Sequence, residues 1–213
     1  GEGGAITTND KILYEKLRSL RSHGNTKKPE EFLNKELSYT DFNDSKLINP
    51  WYYEMQFLSY NYRLTDFQAA LGLSQLKKLD KFIVKRNELS QYYDNEITKL
   101  GHERIFPVHN AFDGTHGRHL YVIKIPMKQL NGGRARLMMD LFEAGIQTQV
   151  HYIPIYLQPN YRKYFKEKLN FPFSEEYYEN CLSLPLFFGM TERDVKRVVQ
   201  SLNDILDKNW NSS

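Results

Sequence analysis

The sequence has a single cysteine and no long run of apolar residues. Because one thiol cannot form an internal disulfide, Cys181 excludes a disulfide-stabilised framework. Such sparse use of cysteine is typical of the reducing cytoplasm, where we expect the protein to be located. No apolar stretch approaches the roughly 20 residues that a membrane-spanning helix requires. The sequence therefore predicts a globular protein that does not span a membrane.

An excess of charge of either sign is also lacking. The 213 residues include 29 Lys and Arg against 26 Asp and Glu, which gives a net charge of +3. This balance argues against a nucleic-acid partner but is compatible with a small phosphate-bearing ligand. With 40% hydrophobic residues, the chain is long enough to bury a core in one large domain or two small ones. We predict no metal site.

The most distinctive stretch is 60–72, where a polar turn leads directly into a helix. Thr65 and Gln68 have the spacing of a capping box, which predicts a helix that begins near Asp66. Asn61 and Arg63 then lie on a loop held by a capped helix, a common setting for ligand-binding residues. The local chemistry is equally compatible with a turn that only completes the surface.

The N-terminal end opens at Gly1 without a methionine, and we expect it to be the cut end of a longer chain. Residues 5–8 predict a short strand, followed by a helix that Thr8 or Asn9 caps and that ends near His23. Gly24 supplies a left-handed stop. The apolar positions at helical spacing predict one buried stripe, formed by Leu13, Leu17 and Leu20.

Residues 25–50 are polar and show no sustained periodicity. We interpret them as an insertion or mobile loop, either a lid over a site or a solvated excursion. The aromatic cluster that follows, at 51–57, is typical of a core or an interface, and in some proteins of a surface that stacks on a ligand.

The remainder of the chain predicts a small α+β domain with helices on one face of an antiparallel sheet. We place the domain boundary near Asp80, which gives domains 1–80 and 81–213. Thr191 and Asp194 have the spacing of a second capping box, at the start of a last helix. The other predicted elements are helices at 80–101 and 134–144 and strands at 119–125, 146–151 and 182–186.

Several segments, in matching order and spacing, resemble the pyridoxal-phosphate sugar aminotransferases of nucleotide-sugar biosynthesis, the DegT/DnrJ/EryC1/StrS family. They are residues 1–5, 8–10, 21–24 and 61–66. Three others resemble the members of this family that act in pseudaminic acid biosynthesis: 51–56, 72–80 and 150–159. The resemblance covers essentially the whole chain.

The resemblance implies an α/β fold of the type I aminotransferases. Residues 1–80 would be the C-terminal part of the large cofactor-binding domain, and 81–213 the small domain. It also implies pyridoxal 5′-phosphate as cofactor and a homodimer with shared active sites. The implied reaction moves an amino group from L-glutamate to C4 of a UDP-linked 4-keto-6-deoxy-N-acetyl sugar.

Site residues follow from the matched positions. Asn61 would reach the cofactor phosphate bound to the partner subunit, and Arg63 would lie close by and bind substrate. His151 and Tyr152 would face the sugar nucleotide, with Pro154 stiffening the exit of their strand. On sequence alone, a histidine at a strand end is more often structural. For His119 we favour a structural role.

The resemblance also places the Schiff-base lysine a few residues before Gly1. We therefore expect the chain as given to be the C-terminal portion of an aminotransferase and to be inactive alone. Two alternatives remain open: a dehydratase of the same family, in which histidine replaces that lysine, and a non-catalytic binding or dimerisation module. The residues upstream of Gly1 would decide between them.

Overall fold

The computed structural model describes residues 3–101, 103–108, 116–165 and 169–211. Gly1 and Glu2 of the predicted N-terminal motif lie outside the described residues. The chain divides into two compact units, Gly1–Lys77 and Lys78–Ser213. None of the described helices combines the length and the apolarity needed to cross a membrane.

The first unit begins with α1, Lys11–Arg21. Its cap is Asp10, whose carboxylate accepts the N–H groups of Ile12 and Leu13 at 2.8 and 3.1 Å. The prediction of a Thr8 or Asn9 cap is therefore wrong. The Thr8 hydroxyl accepts the N–H of Asp10, which precedes the helix, and so does not cap the helix itself. The predicted strand at 5–8 is also wrong, since a strand needs a partner and none of the described residues pairs with it. The leucine stripe of α1 is not buried either.

Residues 25–50, interpreted from the sequence as an insertion or mobile loop, contain short helices and strands that were not predicted. Two kinds of structure were missed: tight turns between neighbouring residues, and a strand pair whose members are far apart in the sequence. Asn43 and Asp44 adopt positive φ values, typical of a tight hairpin turn. The elements are β1 (Asn25–Thr26), paired antiparallel with β4 (Glu54–Met55); a 3₁₀ turn (Pro29–Glu31); α2 (Lys35–Ser38); and the antiparallel hairpin of β2 (Tyr39–Phe42) and β3 (Ser45–Ile48).

Helix α3, Asp66–Leu76, closes the first unit. Its predicted capping box is confirmed: Gln68 N–H donates to the Thr65 hydroxyl at 3.3 Å, and Thr65 N–H donates to the Gln68 side chain at 3.0 Å. The apolar residues of this helix are spread around its whole circumference, yet none of its residues is buried. Its leucines are Leu71, Leu73 and Leu76, each more than half exposed. A helix that is apolar on all sides normally lies in a protein interior.

The second unit is built on a three-stranded antiparallel sheet in the order β5-β6-β7. Its strands are β5 (Phe106–Pro107), β6 (Tyr121–Lys124) and β7 (Cys181–Leu184), and its helices are α4 (Leu79–Lys99), α5 (Gly133–Glu143), α6 (Pro159–Arg162), α7 (Pro172–Asn180) and α8 (Glu192–Asn209). Helix α8 packs against α4 and α5 and buries its valine and leucine stripe. The small α+β arrangement and the capping box of Thr191 and Asp194 are confirmed.

The predicted strand at 146–151 is wrong. The backbone donors of this segment are satisfied elsewhere: Ile146 N–H bonds to the carbonyl of Leu141, and Val150 N–H to the side chain of Gln149. Only Gln149 pairs with β7, exchanging two backbone hydrogen bonds with Ser183 at 2.8 and 3.2 Å. The segment therefore lies along β7 without forming a fourth strand.

Candidate functional site

The loop that carries Asn61 and Arg63 is held against the turn that follows α1. Tyr62 N–H donates to the carbonyl of Arg21 at 2.8 Å, and His23 N–H donates to the carbonyl of Tyr60 at 2.9 Å. Ser22 and Asn61 form an antiparallel bridge between these bonds. Two segments that the sequence separates by nearly 40 residues thus form one small platform.

Gly24 makes this platform possible. Its φ is +67°, and a Cβ atom there would lie 1.9 Å from the carbonyl oxygen of Phe57. The Gly24 carbonyl also accepts the N–H of Gln56 at 2.8 Å. Because only glycine permits both this conformation and this close approach, the residue fixes how the chain enters the Asn61 loop.

Both predicted ligand-binding side chains of this loop are exposed. The Asn61 amide oxygen accepts the N–H of Arg63 at 3.4 Å, which leaves its NH₂ group without a partner among the described residues. The guanidinium of Arg63 likewise has no partner in the described part of the chain. Amide and guanidinium donors on an ordered loop suit an anionic ligand, and a phosphate in particular.

His151 and Tyr152 lie in the second unit, immediately after the segment that pairs with β7. His151 Nδ1 is 2.8 Å from the hydroxyl oxygen of Ser183. The two rings make an edge-to-face contact with centroids 4.6 Å apart, and the peptide bond between the residues is cis. The ring of Tyr152 is 70% exposed.

These two side chains line different cavities. His151 lines an open cavity of about 500 Å³ together with Thr148, Gln149 and Ser183. Tyr152 lines an apolar cleft of about 610 Å³ together with aromatic residues such as Phe171. A ligand in contact with both residues would therefore have to reach both cavities.

The cavity beside His151 is polar at several points. The hydroxyl of Thr148 is buried and has no hydrogen-bond partner among the described residues. Asp194 also lines the cavity, and hydrogen bonds from the side chain and backbone of Thr191 lower the pKa of its carboxyl. Arg197, also in the wall, donates to the carbonyl of Ala144 at 2.7 Å. The cavity wall thus offers an imidazole and charged side chains to a polar ligand.

Sequence reasoning missed Ser183, the residue that holds the imidazole. Its signal was a small polar residue in the middle of a strand that is buried throughout. His119, for which a structural role was favoured, precedes β6, and its carbonyl accepts a hydrogen bond from Arg86 at 3.0 Å. In the described part of the chain, no group of three or more His, Cys, Asp or Glu side chains is placed to hold a metal ion.

Comparison with known proteins places these features in context. The model of the DegT/DnrJ/EryC1/StrS aminotransferase family matches residues 1–203. The spore coat polysaccharide biosynthesis protein SpsC of Bacillus subtilis is 36% identical over 208 residues, which are 97% of this chain and 50% of SpsC. The UDP-4-amino-4,6-dideoxy-N-acetyl-beta-L-altrosamine transaminase of Campylobacter jejuni is 34% identical over 207 residues, 97% of this chain and 49% of that protein. The chain thus spans about half the length of these curated relatives.

Among solved structures, Helicobacter pylori PseC, described as an aminotransferase involved in the biosynthesis of pseudoaminic acid, aligns with a TM-score of 0.76 and 29% identity. The alignment covers 94% of this chain and 48% of PseC. This likeness confirms the predicted fold class, that of the type I aminotransferases.

Proposed function

Because the chain belongs to the DegT/DnrJ/EryC1/StrS aminotransferase family, we propose that it is the C-terminal portion of an enzyme that transfers an amino group from L-glutamate to a nucleotide-linked sugar. Pyridoxal 5′-phosphate is the cofactor of this family. The observation that carries the proposal is the Asn61 loop, which presents an amide and a guanidinium without partners among the described residues.

The substrate we propose is a UDP-linked 4-keto-6-deoxy-N-acetyl sugar, aminated at C4. The relative from C. jejuni and the structure from H. pylori support this choice, since both carry names of pseudaminic-acid-type sugar metabolism. So do the segments around Trp51, Gly72 and His151, which resemble the same branch of the family. A GDP-linked keto sugar is the competing substrate that the assay must include, since a relative that is 30% identical carries the name GDP-perosamine synthase.

We propose that the enzyme is a homodimer with shared active sites. Helix α3 supports this arrangement, because its exposed leucines need cover that its own unit does not provide. Trp51 and, on the β2–β3 hairpin, Phe42 and Leu47 are large apolar residues that are exposed as well. A second copy together with the remaining half of the polypeptide would bury such surfaces.

The residues of the Asn61 loop fit the phosphate of the cofactor. The NH₂ group of Asn61 would donate to a phosphate oxygen of the cofactor held by the partner subunit. Arg63 would place a positive charge beside the phosphate groups of the sugar nucleotide, where charge-assisted bonds are strongest. When bound, the cofactor supplies the electron-withdrawing ring on which amino-group transfer depends.

His151 and Tyr152 would orient the sugar nucleotide. An imidazole and a phenol can donate to carbonyl, hydroxyl or diphosphate oxygens, and both side chains are reachable from solvent. By holding the sugar, they would keep its 4-keto carbon at the reacting centre, which is the positioning component of catalysis.

The complete protein, incubated with L-glutamate and each keto sugar nucleotide, tests the proposal. Mass spectrometry should show a 4-amino product from the UDP sugar and 2-oxoglutarate in equal amount. The alternative dehydratase would instead give a sugar that has lost water and carries no new amino group, and a binding module would change neither substrate. Absence of the amino sugar with all keto sugars would exclude the aminotransferase proposal.

A further inference from the structure

The contact between His151 and Ser183 is unusual because one member is almost completely buried. Ser183 is 5% exposed and lies in the middle of β7, where its backbone is opposite Val122 on one side and Gln149 on the other. The pairing on both sides therefore fixes the backbone from which the Ser183 hydroxyl extends. The 2.8 Å contact to Nδ1 ties one edge of the half-buried imidazole to this rigid point.

Counting protons decides which atom donates. The hydrogen-bond partner of the Ser183 hydroxyl among the described residues is the His151 imidazole. A buried O–H that does not donate leaves an unsatisfied donor, whereas a serine oxygen with a spare lone pair costs little. The hydroxyl therefore donates to Nδ1, and the neutral imidazole carries its own proton on Nε2.

The opposite edge of the ring is then a hydrogen-bond donor. Nε2 has no partner in the described part of the chain, and the ring lines the open cavity of about 500 Å³. Thr148 and Gln149 line the same cavity beside the ring. An acceptor oxygen of a ligand in this cavity would supply the partner that Nε2–H lacks.

We propose that Ser183 is a positioning residue that holds His151 in the Nε2–H tautomer, so that the histidine presents a donor to an acceptor oxygen of the nucleotide sugar. The identity of the ligand rests on the proposed function, whereas the tautomer does not. The effect of Ser183 on binding passes entirely through the imidazole.

Nitrogen NMR of the histidine rings in the complete protein tests the tautomer directly. In a neutral histidine ring the two nitrogens give separate signals for the protonated and the acceptor atom, so the spectrum identifies the tautomer. The His151→Gln variant assigns the signal. We expect Nε2–H for the native protein and a mixture of both tautomers for Ser183→Ala, while Ser183→Thr, which keeps the hydroxyl, should keep the native signal.

Ser90→Ala is the matched control. Ser90 is 2% exposed in the same unit, and its hydroxyl donates to the carbonyl of Arg86 at 2.8 Å, away from the cavity. It should leave the His151 signal unchanged. Thermal unfolding of Ser90→Ala and Ser183→Ala separates a loss of fold from a loss of orientation.

The kinetic readout is a rise in KM for the sugar nucleotide of about three- to tenfold in Ser183→Ala, with kcat and the KM for L-glutamate nearly unchanged. A native Nδ1–H tautomer, or a His151 signal unaffected by Ser183→Ala, would overturn the inference. If His151→Gln leaves the KM for the sugar unaltered while Ser183→Ala still mixes the tautomers, the assignment of His151 to the sugar fails and the positioning contact stands.

Discussion

Gly24 lies so close under Phe57 that a Cβ atom on the glycine would stand 1.9 Å from the phenylalanine carbonyl oxygen. The first prediction is that Gly24→Ala destabilises the protein by more than the cost of a positive φ alone, about 1–2 kcal/mol for a residue other than glycine. The carbonyl is backbone and cannot move aside as a flexible side chain would. Chemical denaturation of the complete protein measures the loss.

Gly101 provides a matched control for this prediction. Its φ is +68°, almost the same as that of Gly24, yet no atom of the described residues lies within 4 Å of a Cβ placed there. Gly101→Ala should therefore show the conformational cost alone. Equal losses for the two variants would mean that the close approach to Phe57 contributes nothing, and that the Asn61 platform tolerates a shift.

The second prediction concerns Asn61→Ala, which should weaken retention of pyridoxal 5′-phosphate about tenfold or more without unfolding the protein. A hydrogen bond to a charged acceptor contributes roughly 1.5–3 kcal/mol, and the exposed side chain supports little else. Equilibrium dialysis measures the change. Asn95→Ala, an exposed asparagine on α4, is the control and should retain the cofactor fully.

Mixed dimers test whether Asn61 acts across the subunit boundary. A protein that carries Asn61→Ala is combined with one that lacks the Schiff-base lysine. If Asn61 serves the partner's site, each heterodimer has one native site and regains activity; if it serves its own, no native site forms. Complete absence of recovery in purified heterodimers would contradict the shared-site assignment.

The outcome for Thr65 and Ser183 shows what sequence can predict and what it cannot. Both capping boxes were predicted, because Thr65 with Gln68 and Thr191 with Asp194 are three residues apart and the chemistry is local. By contrast, β1 pairs with β4 across nearly 30 residues, and no local pattern identifies that partner. Asn61 stood out by its motif, while its support at Gly24 and the buried Ser183 contact became visible only with the fold.

Partners outside the chain explain other differences. The leucines of α1 have the spacing of buried positions, which predicts a buried stripe, and α3 is rich in leucine as well. In the described structure neither helix buries a residue. A sequence pattern reports that a face is apolar, but it does not say whether the same segment, another part of the polypeptide or a second subunit covers it.

Acid should weaken the first unit through Glu54. The backbone N–H of Leu33, 2.6 Å away, and then the hydroxyl of Tyr52 hold the pKa of this carboxyl at about 2, below the ordinary 4.5. Because the folded-state pKa is depressed, the contribution to stability is complete above pH 4.5 and is lost as the pH falls toward 2.

Thermal unfolding of the native protein and Glu54→Gln between pH 7 and pH 2.5 measures this contribution. The native protein should be the more stable at pH 7, and the difference should shrink steadily below pH 4.5. Glu30→Gln removes an exposed carboxylate that makes no hydrogen bond among the described residues, so it should show no such dependence. A difference that persists unchanged to pH 2.5 would contradict the assignment.

The chain as given should not bind the cofactor covalently. The family resemblance places the lysine that does so before Gly1, and none of the lysines in the chain matches that position. After incubation with pyridoxal 5′-phosphate, reduction with borohydride and dialysis, mass spectrometry should find no lysine modified in stoichiometric amount. The complete protein, treated in parallel, should carry one label per subunit; a single fully labelled lysine within residues 1–213 would contradict the prediction.

Substrate choice should depend on the end of the segment that pairs with β7. We predict that His151→Ala and Tyr152→Phe raise the KM for the UDP-4-keto sugar by far more than the KM for L-glutamate, because a site built to hydrogen-bond its substrate penalises a missing partner. The half-reaction with glutamate, followed through the change in cofactor absorbance, should be nearly unaffected. Tyr164→Phe, which removes a similarly exposed phenol hydroxyl in the same unit, is the control.

Since His151 is tied to buried Ser183 whereas Tyr152 is largely exposed, a general disturbance of the fold would affect His151→Ala more strongly and would damage both half-reactions alike. That pattern would assign the imidazole a structural role and remove it from the sugar site.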